Sequence, residues 1–179
     1  LATVRSTRRM ADQMLALSRA EAANGLILEQ APLDLTELAR DVALELAPVA
    51  LRQRIELAFE AGGPAPLTGN AAMLREMVAN LVDNAIRYSP PDTHVVIATA
   101  MHEGAATLVV EDQGPGIPVA ERDKVFGRFY RILGHGDTDG SGLGLAIVRE
   151  ICVAHRGRVS LGDGAVGCGL RVAVSLPAH

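Results

Sequence analysis

The order in which helical and strand-like apolar patterns follow one another is the feature of this sequence that most restricts its fold. The patterns predict a helix at 34–52, a strand at 55–59, a helix at 71–88 and two strands at 94–101 and 106–111. A long loop at 115–141 follows, and then a helix at 143–155 and two strands at 158–162 and 169–176. The last two strand pairs are separated by short turns at Glu103-Gly104 and Asp163-Gly164, which is typical of antiparallel hairpins. Because helices and hairpins are mixed, and do not alternate as βαβ units, we predict an α/β (α+β) two-layer sandwich. Its mixed, mostly antiparallel sheet would pack on about three helices.

Residues 1–24 carry a pattern of their own. Met10, Met14 and Leu17 recur at i, i+4 and i+7 between charged residues, which predicts an amphipathic helix with a narrow apolar stripe. Leu1 already lies inside this pattern, so we expect a helix remnant that begins upstream and pairs with another helix or chain. The sequence therefore predicts two units, residues 1–24 and a domain of residues 25–179.

Composition excludes several classes of protein. An apolar fraction of 49% excludes a mainly disordered chain, and a formal charge of −4 argues against a general nucleic-acid binder. We find no window of about 20 uninterrupted apolar residues and no signal-peptide pattern, and so expect a soluble, intracellular protein with one core. Cys152 and Cys168 each have apolar neighbours, which predicts two buried free thiols; the alternative is that they pair with each other.

Three clusters of residues could carry chemistry, and the first lies on the second predicted helix. Asn80 and Asn84 are four residues apart, with Arg87 and Tyr88 one turn further along the same side. Asparagine is a poor residue for the middle of a helix, but its amide oxygen is a hard ligand that suits Mg²⁺. The alternative is a solvated polar face.

The second cluster follows an apolar strand and consists of Asp112, Gly114, Pro115, Gly116 and Ile117. An aspartate at a strand end is a good acceptor for an exocyclic amine, and the glycines allow a flat ligand to approach the backbone. The alternative is an ordinary turn with a capping aspartate.

The third cluster is a glycine-rich loop that enters the last predicted helix, with Gly140, Gly142, Leu143 and Gly144. Backbone N–H groups and the helix dipole at such a position bind phosphate. No lysine follows, as a P-loop would require, and Leu145 stands where a dinucleotide fingerprint has its third glycine. The alternative is a flexible hinge for a lid formed by the loop before it. Taken in order, the three clusters and the lid describe a pocket for Mg·ATP.

Four segments resemble the sequence boxes of the catalytic, ATP-binding domain of bacterial sensor histidine kinases. Residues 80–90 resemble the N box, 112–116 the G1 box, 125–131 the F box and 140–145 the G2 box. The resemblance covers residues 30–179, and it implies the two-layer fold with a long ATP lid.

The resemblance implies roles for the matching positions. Asn84 would ligate Mg²⁺ with the help of Asn80, and Arg131 would join them as a catalytic residue. The nucleotide would be held by a larger set: Asn84, Arg87, Tyr88, Asp112, Gly114, Gly116, Ile117, Arg131, Gly140, Gly142, Leu143 and Gly144. In this set the aspartate would accept the adenine amino group, the arginines would reach the phosphates, and the glycines of residues 140–144 would carry the lid. Phe126 and Phe129 would anchor the lid.

The resemblance also implies partners and a location. Residues 1–24 resemble the second helix of the dimerisation and phosphoacceptor hairpin, so that hairpin and a cognate response regulator are the implied partners, with no nucleic acid. The parent protein would be a membrane-bound homodimer with this domain on the cytoplasmic side of the bacterial inner membrane.

Two departures from the family pattern matter. None of the five histidines, His94, His102, His135, His155 and His179, lies in a His-Glu-Leu-Arg-Thr-Pro-like stretch. We therefore expect a fragment that begins after the acceptor helix and cannot phosphorylate itself. His155 ends a predicted helix, where a protonated ring would suit the dipole. Arg156 stands where relatives often have glycine.

Two other functions are compatible with the same motifs. ATP-hydrolysing relatives, such as gyrase and heat-shock chaperones, have a water-activating glutamate four residues before the metal-binding asparagine, where this chain has Asn80. Glu76 lies one turn further away, and we expect it at a different depth of the pocket. The third hypothesis is an anti-sigma or scaffold protein that uses ATP to hold a partner.

Overall fold

The computed structural model describes residues 29–132, 141–165 and 167–178, together with Met14, Leu15 and Ser18. Its long helices are α1 (Leu35–Arg52), α2 (Ala71–Tyr88) and α3 (Gly144–Ala154). Its strands are β1 (Ala31–Asp34), β2 (Ile55–Ala61), β3 (Pro66–Gly69), β4 (Thr93–His102), β5 (Ala105–Glu111), β6 (Arg158–Asp163) and β7 (Leu170–Pro177). Two short 3-10 helices span Val119–Glu121 and Lys124–Phe126.

The main sheet has five strands in the order β2-β4-β5-β7-β6. β2 pairs with β4 in parallel, and the other three pairs are antiparallel. Between β4 and β5, Glu103 and Gly104 both have positive φ, at 49° and 77°, as a tight hairpin turn with right-handed strand twist requires. The predicted mixed, mostly antiparallel sheet is confirmed.

One face of this sheet carries the core. Along β4, β5 and β7 every second side chain is buried, while the intervening ones are partly exposed. The helices cover the buried face, and α2 lies between α1 and α3, with which it makes its helix contacts. The predicted two-layer sandwich of helices on a sheet is therefore confirmed, and α2 and α3 bring the first and third sequence clusters together.

Two strands were missing from the sequence prediction. β1 and β3 pair antiparallel, with Leu33 opposite Leu67, and form a separate two-stranded sheet. Each has only four residues and contains a proline, which reduces the strand signal of a sequence. The predicted loop at 115–141 also differs from expectation, because its described part contains the two 3-10 helices. The predicted helix of residues 1–24 lies outside the described residues except at Met14, Leu15 and Ser18, which are helical.

The prediction of two buried thiols is wrong for one of them. Cys152 is buried beside Met77, and burial raises the pKa of its thiol to about 12. Cys168 is exposed, because it lies in the loop between β6 and β7 and not on either strand. Among the described residues, no helix is long and apolar enough to cross a membrane.

The expectation of a protonated His155 at the end of α3 is wrong as well. The ring is buried, its Nδ1 lies 2.8 Å from the carbonyl oxygen of Ile151, and its Nε2 accepts the N–H of Asn70 at 3.1 Å. An Nε2 that accepts cannot carry a proton, so the ring is neutral and Nδ1 donates to Ile151. Burial lowers the pKa of His155, and the bond to Ile151 only partly opposes this effect. The ring thereby connects the end of α3 to the residue that caps α2.

We predict that His155 makes the protein less stable in acid. Its folded-state pKa lies below the unfolded value of about 6.5, so its contribution is complete above that pH and is lost as the pH falls. Urea unfolding should show that His155→Leu lowers the free energy of unfolding by about 1–3 kcal/mol at pH 7.5, because the N–H of Asn70 loses its acceptor. The difference in the free energy of unfolding between the native protein and His155→Leu should be smaller at pH 5.5. His102→Leu, at an exposed turn, is the control; parallel pH profiles for the native and His155→Leu proteins would contradict the prediction.

Arg156, which stands where relatives often have glycine, has a backbone conformation that is typical of glycine. Its φ is +55°, in the left-handed region that glycine adopts without strain. It directly follows His155, and its N–H donates to the carbonyl oxygen of Val153. The residue therefore belongs to the turn that ends α3 and leads into β6.

Candidate active site

A cavity lies between the ends of α2 and α3 and strands β5 and β7. Nine of the predicted site residues line it: Asn84, Arg87, Tyr88, Asp112, Gly116, Ile117, Arg131, Gly142 and Gly144. Sequence segments that are far apart in the chain, the predicted N, G1, F and G2 boxes, therefore contribute to one site. Gly140 lies outside the described residues, and Asn80, Gly114 and Leu143 are close to the cavity without lining it.

At one end of the cavity, two amide side chains of α2 meet the first residue of α3. A Cβ at Gly144 would lie 3.0 Å from Nδ2 of Asn84 and 3.4 Å from Oδ1 of both Asn80 and Asn84. Any larger residue would crowd the amides, so glycine is what permits this approach. Two hard oxygen ligands beside a helix N-terminus fit a divalent cation together with the phosphates it binds.

The loop that enters α3 is shaped by Gly142. Its φ is +70°, and a Cβ there would lie 2.8 Å from the backbone of Phe129. The hydroxyl of Ser141 accepts the N–H of Leu143 at 3.2 Å, and the Leu143 side chain is buried in the core. Leu143 therefore anchors the start of α3, and whatever it offers to a ligand comes from its backbone.

At the other end of the cavity, Asp112 is held by backbone groups from two elements. Its Oδ1 accepts the N–H of Gly114 at 2.8 Å and that of Leu170, the first residue of β7, at 3.2 Å. Burial raises the pKa of Asp112, and these two hydrogen bonds act in the opposite direction. Both bonds use the same carboxylate oxygen, so Oδ1 fixes the side chain in place.

Glycines let three backbone segments meet around Asp112. A Cβ at Gly169, where φ is +88°, would lie 1.8 Å from the carbonyl oxygen of Asp112, and one at Gly116 would lie 2.8 Å from that of Gly169. A Cβ at Gly114 would lie 2.6 Å from the carbonyl oxygen of Tyr88. The loop between β6 and β7 therefore packs directly against the backbone of Asp112, a contact that sequence reasoning missed, although this part of the chain lines the cavity itself only from Leu170 onward.

Arg122 connects the end of β6 to the second cluster. Its Nε donates to the carbonyl oxygen of Ile117 at 3.0 Å, and its guanidinium pairs with Asp163 at the end of β6.

Closer to the cavity, Arg87 donates to Asp83 one turn earlier on α2, at 3.1 Å, and both side chains are mostly buried. Arg131 also lines the cavity and is exposed.

The described part of the predicted lid, up to Ile132, is fastened by side chains. The hydroxyl of Tyr130 donates to Glu121, which lowers the pKa of Glu121 and raises that of Tyr130. Of the two predicted lid anchors, Phe126 is partly buried, whereas Phe129 is 55% exposed and has a positive φ of 59°.

Apolar residues complete the cavity, and most of them were not predicted as site residues. They come from α2, β5, β7, α3 and the 115–132 segment: Leu81, Ala85, Val110, Pro115, Val125, Ile132, Leu145, Leu170 and Val172. The sequence signal for them was only that of a core, because buried apolar residues on helices and strands look alike whether they face a cavity or another side chain.

Comparison with known proteins agrees with this geometry. A family model described as "Histidine kinase-, DNA gyrase B-, and HSP90-like ATPase" matches residues 69–179. Sensor protein kinase PmrB of Pseudomonas aeruginosa is 40% identical over 166 residues, which are 93% of this chain and 34% of PmrB. The chain therefore spans about a third of the length of that relative.

Solved structures give the same result. The mycobacterial sensor histidine kinase MprB superposes with a TM-score of 0.73 at 35% identity, covering 84% of this chain and 99% of that one. Full-length ShkA in complex with AMPPNP superposes with a TM-score of 0.80 at 30% identity, covering 94% of this chain and 35% of ShkA. The fold thus coincides with that of these sensor kinases, and the family match of residues 69–179 includes every residue that lines the cavity.

Proposed function

Because this chain belongs to the family of histidine kinase-, DNA gyrase B- and HSP90-like ATPases, as a sensor-kinase catalytic domain, we propose that it binds Mg·ATP and transfers the γ-phosphoryl group to a histidine. The acceptor would be a histidine of a dimerisation hairpin to which residues 1–24 would contribute the second helix, and a response regulator would receive the group next. The parent would be a homodimer in the bacterial inner membrane, with this domain on the cytoplasmic side.

One observation supports the proposal most strongly. The oxygens of Asn80 and Asn84 lie against the first residue of α3, and Asp112 lines the same cavity with its Oδ1 already occupied by two backbone N–H groups. A nucleotide requires this kind of arrangement, with hard oxygens and a helix N-terminus for the metal-bound phosphates and a fixed acceptor for the base amine.

Different residues would hold the cation and the phosphates of the substrate. Asn84, with Asn80, would hold Mg²⁺, and the cation would neutralise charge on the phosphates. The backbone N–H groups of Gly142 and Gly144 would bind phosphate oxygens, and Arg87 and Arg131 would add positive charge near them. The alternative of water activation is not favoured, since Asn80 occupies the position of the hydrolytic glutamate and an amide cannot take up a proton.

At the base end, apolar residues and one carboxylate would select adenine. Tyr88, Ile117 and Leu170 would pack on the ring, while Gly114 and Gly116 would allow it to approach the backbone. We propose that Oδ2 of Asp112 accepts the adenine amino group, because Oδ1 is held by the N–H groups of Gly114 and Leu170. Guanine has a carbonyl oxygen at the corresponding position and would face the carboxylate unfavourably.

The proposed base recognition is tested by measuring how Asp112→Asn changes the affinities of the protein for ATP and for GTP. The amide oxygen of the asparagine can accept both backbone N–H groups in place of Oδ1. The side-chain NH₂ then takes the place of Oδ2, so that two donors, this NH₂ and the adenine amino group, face each other. Calorimetry should show ATP affinity falling tenfold or more, about 1.4 kcal/mol, with GTP affinity unchanged or improved. A native protein that binds ATP and GTP equally, or a variant that weakens both equally, would contradict the proposed base recognition.

A further inference from the structure

Glu76 is a residue of α2 that the proposed function does not use. It lies one turn before Asn80 and is partly buried. The sequence-based expectation placed it at a different depth of the pocket, but the structure brings it into contact with a proposed metal ligand. Nδ2 of Asn80 donates to Oε1 of Glu76 at 3.0 Å and to the backbone carbonyl oxygen of Glu76 at 2.8 Å.

These two contacts determine which way the amide of Asn80 faces. An NH₂ group has two hydrogens to donate, and here they meet a carbonyl oxygen and a carboxylate oxygen. If the amide were turned over, its own oxygen would face those two acceptors with no proton between them. Asn80 is only 5% exposed, so water cannot compensate freely for such a loss.

The orientation of the nitrogen also decides where the oxygen lies. Oδ1 of Asn80 lies on the side of Gly144, where a Cβ would be 3.4 Å away from it and equally far from Oδ1 of Asn84. Both oxygens thus lie beside the start of α3, together with Nδ2 of Asn84 at 3.0 Å from the same Cβ position, where the phosphates and the cation are proposed to bind. A turned amide would present a donor to the cation in place of a ligand.

We propose that Glu76 is a positioning residue for metal binding, which holds the Asn80 amide with its oxygen directed toward the Mg²⁺ and phosphate site. The carboxylate does so through the hydrogen bond to Nδ2 and does not touch the cation itself. This inference rests on the proposed function, because it requires that Mg·ATP binds at the amides of Asn80 and Asn84. Groups that hydrogen-bond metal ligands in this way are typically worth about 10–100-fold in metal affinity.

The experiment compares ATP affinity by calorimetry in excess Mg²⁺ and in EDTA. The principal variant is Glu76→Met, which keeps the length and the helix propensity of the side chain but has no strong acceptor. We expect the Mg²⁺-dependent gain in affinity to fall about tenfold, with the affinity in EDTA unchanged. Glu76→Gln, which keeps an oxygen at the acceptor position, should recover most of the gain.

Two controls separate positioning from general damage. Glu45→Met removes an exposed carboxylate on α1 that pairs with Arg75, and it should leave the Mg²⁺-dependent gain intact. A second readout is the side-chain NH₂ signal of Asn80 in ¹H–¹⁵N spectra, which should shift in Glu76→Met and return toward its native position in Glu76→Gln. Glu76→Ala serves as a second truncation if the methionine variant folds poorly.

The outcomes distinguish this inference from the proposed function. If Asn84→Ala loses the Mg²⁺-dependent gain but Glu76→Met and Glu76→Ala keep it, the proposed function stands and the role of Glu76 is overturned. Equal weakening with Mg²⁺ and in EDTA would likewise show a structural role only and overturn it. A native protein with no Mg²⁺-dependent gain would overturn both.

Discussion

Asn84→Ala is expected to remove most of the gain in ATP affinity that Mg²⁺ provides, by tenfold or more, which corresponds to about 1.4 kcal/mol. The substitution deletes one of the two amide oxygens that lie beside Gly144. Backbone N–H groups at the start of α3 would still bind phosphate, so affinity in EDTA should change little. Calorimetric titration with ATP in excess Mg²⁺ and in EDTA measures both quantities.

The fold should survive this substitution. Asn84 is partly exposed toward the cavity, while the buried face of α2 is made by its neighbours Leu81, Val82, Ala85 and Ile86. Alanine also has the highest helix propensity. Gln53→Ala, which removes an exposed side-chain amide just after α1, is the matched control and should leave both affinities unchanged. A full Mg²⁺-dependent gain in Asn84→Ala would exclude the assigned metal role.

The helix that carries these amides was predictable from the sequence to the residue. Asn70 caps α2 by accepting the N–H of Met73, and Ser89-Pro90 ends it, so local chemistry alone defines both ends. Asp34 likewise caps α1 by accepting the N–H of Thr36. Glu37, three residues after Asp34, has the spacing of a capping box but pairs with Arg40.

The base end of the site was predictable only in part. Asp112 follows a strand and precedes Gly114 and Gly116, which suffices to single it out. The loop that holds it was not predictable, because the approach of Gly169 to Asp112 depends on the pairing of β5 with β7 and not on any local pattern. The contact between Asn80 and Glu76 was predictable from the sequence, since residues four apart on a helix are neighbours. The direction of the Asn80 amide, however, depends on atoms that spacing does not describe.

Incubated alone with ATP labelled in its γ-phosphate, the chain is expected to gain almost no acid-labile label and to release little phosphate. Of its histidines, His94 and His102 are exposed at the two ends of β4, and both ring nitrogens of His155 are engaged in the core. None of the five has the sequence context of an acceptor. Asn80 cannot deprotonate water, so binding without turnover is the expected behaviour.

The most direct test of the proposed function is phosphoryl transfer in trans. The chain is mixed with labelled ATP, Mg²⁺ and a separate dimerisation hairpin that carries an acceptor histidine, and the acid-labile label on each protein is measured over time. The proposed function predicts that label appears on the hairpin histidine, depends on Mg²⁺, and is absent when Asn84→Ala replaces the native chain. Stoichiometric label on this chain's own histidines, with none on the hairpin, would contradict it.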